Sequence, residues 1–257
     1  MNFFRDLINV DLEKSMGIYN STDEFFCLFL NNIYIKNDNN ILVVVNSIYE
    51  ANKLYNSLSN YNDNVCLFPM DDFLTSEALA VSPELMINRL ETINKIVGSD
   101  KNIIITNLMG YLRYLPTREI YEKSILTLKI GDVISPSKLV DRLVSIGYSR
   151  DTIVNKTGEF GVRGFIIDVF PIDEDNPIRI EFFDDEIDSI RYFDSESQKS
   201  ISKVDNVVIK PFFEFITLNE VDELEFGKQK YLPNYGDVSN IGNYLDNCIT
   251  VFKIIMN

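Results

Sequence analysis

Apolar and polar positions change their spacing along this chain, and each spacing predicts a different kind of layer. Ile41 to Val45 is an unbroken apolar run, the pattern of a strand covered on both faces. Asn46 or Ser47 then caps a predicted helix on which Ile48, Ala51, Leu54, Tyr55 and Leu58 recur at helical intervals. Val65 to Phe68 reads as a second short strand. Ser82-Pro83-Glu84 opens another helix with a cap, a first-turn proline and an early acid; Leu85, Leu90, Ile93 and Val97 form its apolar stripe and Gly98 stops it. Ile103 to Thr106 is a third strand. Strand and helix alternate, which predicts a parallel α/β layer over residues 1–122.

The pattern then changes. Ser124 to Ile130 is strand-like, Gly131-Asp132 turns, and Ser135-Pro136 starts a helix bearing Leu139, Val140, Leu143 and Ile146. Strands are predicted near Tyr148–Val154, Val162–Phe170, Ile178–Phe183, Ile187–Phe193 and Val207–Ile209. One helix against a mostly antiparallel sheet is an inserted α+β domain, assigned to residues 123–211. Ile178 to Phe183 alternates strictly, with Ile178, Ile180 and Phe182 on one face and Arg179, Glu181 and Phe183 on the other. Asp184 and Asp185 suit a tight turn before the returning strand. Each face of this strand bears an aromatic, although a half-buried sheet needs one apolar face; the second invites a partner. Residues 212–257 are loop-rich and acidic (Glu220, Asp222, Glu223, Glu225) until strand character returns at Ile249–Ile255. That final strand has no covering element after it, and a piece of a longer protein is expected.

Charge narrows the choice of partner. The 257 residues have a net charge of −15. Residues 1–122 contribute −7, residues 123–211 contribute −4 and residues 212–257 contribute −4, so no segment is basic. Duplex binding draws on phosphate neutralisation, and this chain is poorly suited to it alone. Histidine is absent, which removes the commonest general base, the Ser-His and Cys-His pairs, and most zinc sites. Adjacent acids such as Asp71–Asp72 and Asp184–Asp185 diverge in a turn and read as solvated charge. Cys27, Cys66 and Cys248 have no metal-like spacing and are expected as free thiols in a reducing cytoplasm.

No phosphate-binding loop is present. Gly227-Lys228 is followed by Gln229 and lacks the glycine five residues earlier; Gly158, Gly161 and Gly164 sit between strands, where a bulge or hairpin is expected. The layer has the outline of a nucleotide-binding fold without its nucleotide site.

Three separated stretches carry a family resemblance. R-G-F-I-I-D-V-F-P (163–171), I-R-I-E-F-F-D-D-E-I-D-S-I-R-Y-F-D (178–194) and S-x-S-Q-K-S (195–200) resemble the bacterial transcription-repair coupling factor family (Mfd), as do Phe68–Leu85 and Leu115–Ser135. The resembling part is the UvrB-like module: α/β domain 1a, inserted domain 2, and the start of domain 1b. UvrB itself has a phosphate loop in domain 1a and the coupling factors lack one, as this chain does.

The resemblance implies a non-catalytic segment that docks UvrA through domain 2. It would bring excision repair to stalled polymerase and pack against the rest of its own longer chain in an autoinhibited state. It implies no cofactor for this segment and no membrane partner; ATP, Mg, RNA polymerase and DNA belong to motor and polymerase-binding regions elsewhere. The docking residues implied are Arg150, Arg163, Glu181 and Phe182, with Arg179 and Phe183 as further candidates; the family's additional arginine two residues before R-G is Gly161 here. Arginine forks and aromatic rings are the groups that dominate protein interfaces. The competing readings are sheet-surface ion pairs, with Arg150 and Arg163 paired to Glu181 or Asp168, and an ATP-dependent UvrB-type repair subunit that binds DNA.

Overall fold

A computed structural model describes residues 21–72, 82–98, 101–219, 221 and 227–253. The chain forms two compact units, Met1–Tyr114 with Ser239–Asn257, and Leu115–Val238. The second is therefore an insertion in the first. The change of pattern drawn at 122 and 211 lies inside the inserted unit.

The first unit opens with helix α1 (Asp23–Lys36), which the apolar reading did not single out. Thr22 caps it by accepting from the Phe25 amide, Asp23 and Glu24 sit in its first turn, and Phe26, Cys27, Phe29, Leu30, Ile33 and Tyr34 are buried. Then come β1 (Asn40–Val45), α2 (Ile48–Leu58), β2 (Val65–Phe68), α3 (Pro83–Gly98), β3 (Ile103–Asn107) and the short α4 (Leu108–Tyr111). The chain returns after the insert as the strand Cys248–Lys253. These four strands form one parallel sheet in the order Cys248–Lys253, β1, β3, β2. Every residue of β1 is buried, which is what the ILVVV run requires of a strand between two neighbours with both faces covered. Ile41, Val43 and Val45 pack with Phe26, Leu30, Leu54 and Leu58. Residues 254 and 255 of the predicted last strand, and the acids Glu220, Asp222, Glu223 and Glu225, lie outside the described residues.

One ion cluster ties three elements of this unit together. Asp23 on α1 accepts from Lys53 of α2 at 2.7 Å and from Lys253 of the final strand. The two ammonium groups, Lys253 first, hold its carboxyl at about 2, well below the ordinary 3.8. A carboxyl depressed on folding stabilises the native state above its unfolded pKa, and the gain disappears as pH falls through the folded value. Asp23→Asn is expected to cost about 1–2 kcal/mol at pH 7, the shift discounted for solvent screening. In urea unfolding measured across pH, the gap between wild type and variant should close between pH 4 and pH 2. A gap independent of pH would remove the ion pairs as its cause.

In the inserted unit the two-residue strand β4 (Leu115–Pro116) precedes α5 (Arg118–Ser124), β5 (Leu126–Lys129) and α6 (Pro136–Ser145). Strands β6 (Ser149–Arg150), β7 (Glu159–Arg163), β8 (Ile166–Val169), β9 (Ile178–Phe183), β10 (Glu186–Phe193), β11 (Ser200–Val204), β12 (Asn206–Ile209) and β13 (Val238–Ser239) follow. Six of these make one sheet in the order β11-β10-β9-β8-β7-β6, antiparallel except for the β6–β7 pair, while β12 pairs with β5. The fold class predicted from the sequence, parallel α/β with an inserted, mostly antiparallel α+β unit, is the one observed.

Two strands differ from the expected boundaries. Val162–Phe170 is the junction of two strands: Gly164 adopts φ 62° and Arg163 pairs with Ile166 across a two-residue turn. Continuous β-branched and aromatic residues conceal that turn. The expected strand at Tyr148–Val154 is reduced to Ser149–Arg150, because Asp151 accepts from the Thr152 and Ile153 amides and turns the chain.

Leu139 and Leu143 of α6 pack on Phe160, Ile167, Ile178, Ile180, Phe182, Ile187 and Ile190. One face of the sheet is thereby buried, and its opposite face is the outer one. Among the described residues no helix is long and apolar enough to cross a membrane.

Candidate functional site

Cross-strand neighbours share a sheet face, so the ladder register lays out the outer face of the inserted unit directly. One row runs Arg163, Ile166, Glu181, Ser189 across β7 to β10. The next runs Gly161, Asp168, Arg179, Arg191 and ends at Lys203 of β11. Beyond Glu181 on the same face stands Phe183, opposite Glu186 at the β9–β10 turn, where Asp184 takes φ 59°. Val133 in turn bridges to Glu186 and is largely exposed.

The charges pair both within a row, Asp168 with Arg179, and on the diagonals between rows, Asp168 with Arg163 and Glu181 with Arg191. Asp168, whose side chain is 4% exposed, accepts from Arg163 Nη2 at 2.5 Å, from Arg179 Nε at 2.6 Å and from Arg179 Nη2 at 2.8 Å. Arg179 also donates to Gln198 Oε1 at 3.2 Å and lies over the Phe193 ring, 4.3 Å from its centroid. Hydrogen bonding to Asp168 raises the pKa of this guanidinium. Glu181 accepts from both terminal nitrogens of Arg191, at 2.7 and 2.5 Å, and from Ser189 Oγ at 2.8 Å. These contacts, the Arg191 bonds foremost, hold the Glu181 carboxyl below the usual carboxylate range.

The implied docking residues therefore fall into distinct environments. Arg163 has half of its side chain exposed (51%) despite the bond to Asp168. Glu181 is half-buried and engaged at both oxygens. Arg150 is exposed on the edge strand β6. Phe182 is a correction: it is 7% exposed within the inner core, on the Ile178/Ile180 face that α6 covers, and cannot present its ring to a partner. Phe183 points the other way and is 79% exposed. Arg179 is corrected as well. Its side chain is 12% exposed and committed to Asp168, Gln198 and Phe193, so it supports the face instead of projecting from it.

Gly161, where the family resemblance places an arginine, lies buried beneath the 151–154 turn. A Cβ there would stand 3.1 Å from the Asp151 carbonyl oxygen and 3.2 Å from Val154 Cγ2. The ion-pair reading drawn from the sequence is half realised: Arg163 does pair with Asp168, but Glu181 pairs with Arg191. Asp168, Arg191, Phe193 and Gln198 were not singled out as site residues. Strand alternation could have placed Asp168 beside Arg179, whereas Gln198 comes from a separate turn and has no local signal.

In the α/β unit, side chains of the unit itself accept from the amides at the N-terminus of α2. The turn after β1 leads into α2, the helix N-terminus where such layers receive anions. Here the Ile48 amide donates to Asp72 Oδ1 at 2.8 Å and the Glu50 amide to Ser47 Oγ at 3.2 Å. Asp72 also accepts from Asn107 Nδ2 at 2.8 Å, and Asn107 in turn bonds the backbone of Met70 on both sides. A carboxylate of the chain itself stands at the helix end and would repel a phosphate.

A parallel α/β layer interrupted by an α+β insert with a charged, ring-bearing outer sheet is the architecture of a UvrB-like module. The insert matches the UvrB interaction domain family over residues 126–215. Over a longer span the chain is 36% identical to the transcription-repair-coupling factor of Bacillus subtilis (178 residues, 68% of this chain and 15% of that protein). It is 35% identical to that of Staphylococcus epidermidis (190 residues, 73% and 16%) and 33% identical to that of Staphylococcus aureus (222 residues, 86% and 19%). Over the part of their length that it spans, the chain belongs to the transcription-repair-coupling factor family. That part is less than a fifth of each relative.

Proposed function

We propose that this segment is a non-catalytic docking module whose inserted unit binds UvrA through the outer face of its six-stranded sheet, recruiting excision repair to stalled transcription. The observation that carries the reading is the placement of a half-exposed guanidinium, Arg163 on β7, and a bare ring, Phe183 on β9, on one face of the same sheet. Rings and arginine forks are the usual anchors of protein interfaces. Arg150 adds a cation at the exposed β6 edge, in register with the core residue Phe160, and Glu181, locked by Arg191, supplies an acid in fixed orientation. Phe182 supports the face from below.

In this reading the segment needs no cofactor. ATP, Mg, DNA and RNA polymerase are handled by other parts of the longer proteins, and the same face is masked by intramolecular packing until those parts rearrange. The carboxylate at the α2 N-terminus supports the absence of nucleotide binding. Calorimetric titration of the 257-residue chain with ATP is accordingly expected to give no heat of binding, and a saturable isotherm would restore the UvrB-type enzyme reading. The docking reading itself is tested by titrating the chain against purified UvrA and, separately, against damaged duplex. Binding to UvrA without binding to duplex is the expected result. Binding to duplex alone would overturn it. A longer protein that binds UvrA no more weakly than this chain would argue against masking.

A further inference from the structure

We infer that Asp168 is the positioning residue of the docking face, presetting the Arg163 guanidinium for a carboxylate on the partner's surface. The inference rests on the docking reading above. Asp168 is 3% exposed overall and stands in the middle of the sheet, where burying a charge is unfavourable unless the ion is fully paired. Arg179 supplies that pairing through Nε and Nη2, and is itself held by Gln198 and by the Phe193 ring. One guanidinium suffices to neutralise the carboxylate. The second, Arg163, is bonded through a single nitrogen and keeps half its side chain exposed.

Counting Asp168, Arg179 and Arg163 leaves one positive charge, and it falls on the exposed member. The chain Phe193, Arg179, Asp168, Arg163 thus runs from a rigid, buried end to an accessible one. An arginine held in place before binding loses less rotational freedom when it meets its ligand, and its planar fork suits a carboxylate. The ligand this geometry fits is an acidic side chain of the protein partner. Glu181 and Arg191 form a neutral pair beside it and add no competing net charge.

The test is a double-mutant cycle on the 257-residue chain, with affinity for purified UvrA and thermal unfolding measured on each variant. Wild type is expected to bind, Arg163→Ala to bind about thirty-fold more weakly and Asp168→Asn about five- to ten-fold more weakly. With Arg163 already alanine, Asp168→Asn should cause no further loss of affinity, because its effect passes through that guanidinium. A merely structural role predicts the same loss in both backgrounds, and that result overturns the inference. So does an Asp168→Asn variant that binds like wild type while Arg163→Ala is weakened; the docking reading would survive. Failure of wild type to bind, or unaltered binding by Arg163→Ala, overturns the docking reading and this inference with it. If Asp168→Asn unfolds near the assay temperature, Asp168→Glu, which retains the charge, replaces it in the same cycle. A loss persisting without Arg163 again counts against the inference.

Discussion

Replacing Arg163 by alanine is expected to weaken the complex with UvrA by about 2 kcal/mol or more, near thirty-fold in Kd, and to leave the fold standing. The side chain is half exposed and contributes nothing to the apolar core of its unit. Its bond to Asp168 is a part-exposed ion pair, worth at most about 1 kcal/mol to stability. Asp168 keeps Arg179 as a partner in the variant, so no buried charge is orphaned. On the proposed docking the guanidinium would meet the partner on a face that loses its water, so the binding loss is expected to exceed the stability loss. Titration calorimetry against UvrA measures the first quantity and thermal unfolding the second. Affinity equal to wild type would remove Arg163 from the interface.

Two adjacent phenylalanines are expected to respond in opposite ways. Phe182→Ala should destabilise the inserted unit by about 3–5 kcal/mol, the cost of removing a large ring from a packed core. Phe182 is 7% exposed and packs with Ile180, Ile187 and the helix residues beneath the sheet. Phe183→Ala removes a ring that is 79% exposed, and stability should change by no more than about 0.5 kcal/mol. Its effect belongs to the complex, where loss of an apolar anchor should cost about 1–2 kcal/mol of affinity. Hydrogen exchange across strands β7 to β10 reports the first effect and UvrA titration the second. Wild-type exchange rates in Phe182→Ala would contradict the placement of that ring. Unchanged UvrA affinity in Phe183→Ala would leave the docking face without its apolar anchor.

The difference between these neighbours explains how far the chain could be read directly. Alternation separated Phe182 from Phe183 because successive side chains on a strand point to opposite faces. It could not say which face α6 would cover, since each face offered an aromatic. In the α/β unit, Ile41–Val45 was legible as a buried strand because all five positions are apolar. The helix Asp23–Lys36 is equally patterned, with Thr22 before two acids and a stripe at 26, 29, 30 and 33. The edge strand Ser200–Val204 gave little signal. It is exposed along nearly its whole length and has no apolar side to alternate.

Local pattern by itself therefore determined the two kinds of layer, their order along the chain, the absence of a phosphate-loop motif and the family to which the insert belongs. Those properties depend on residues within a few positions of each other, where period, caps and turns act. Only the tertiary structure decided that Asp168 gathers Arg163 and Arg179, that Arg191 occupies Glu181, that Asp72 closes the α2 N-terminus and that Phe183, not Phe182, faces outward. Each of those outcomes depends on strand register and on which sheet face a distant helix covers, and the free energy that selects them comes from packing between segments that are remote in sequence.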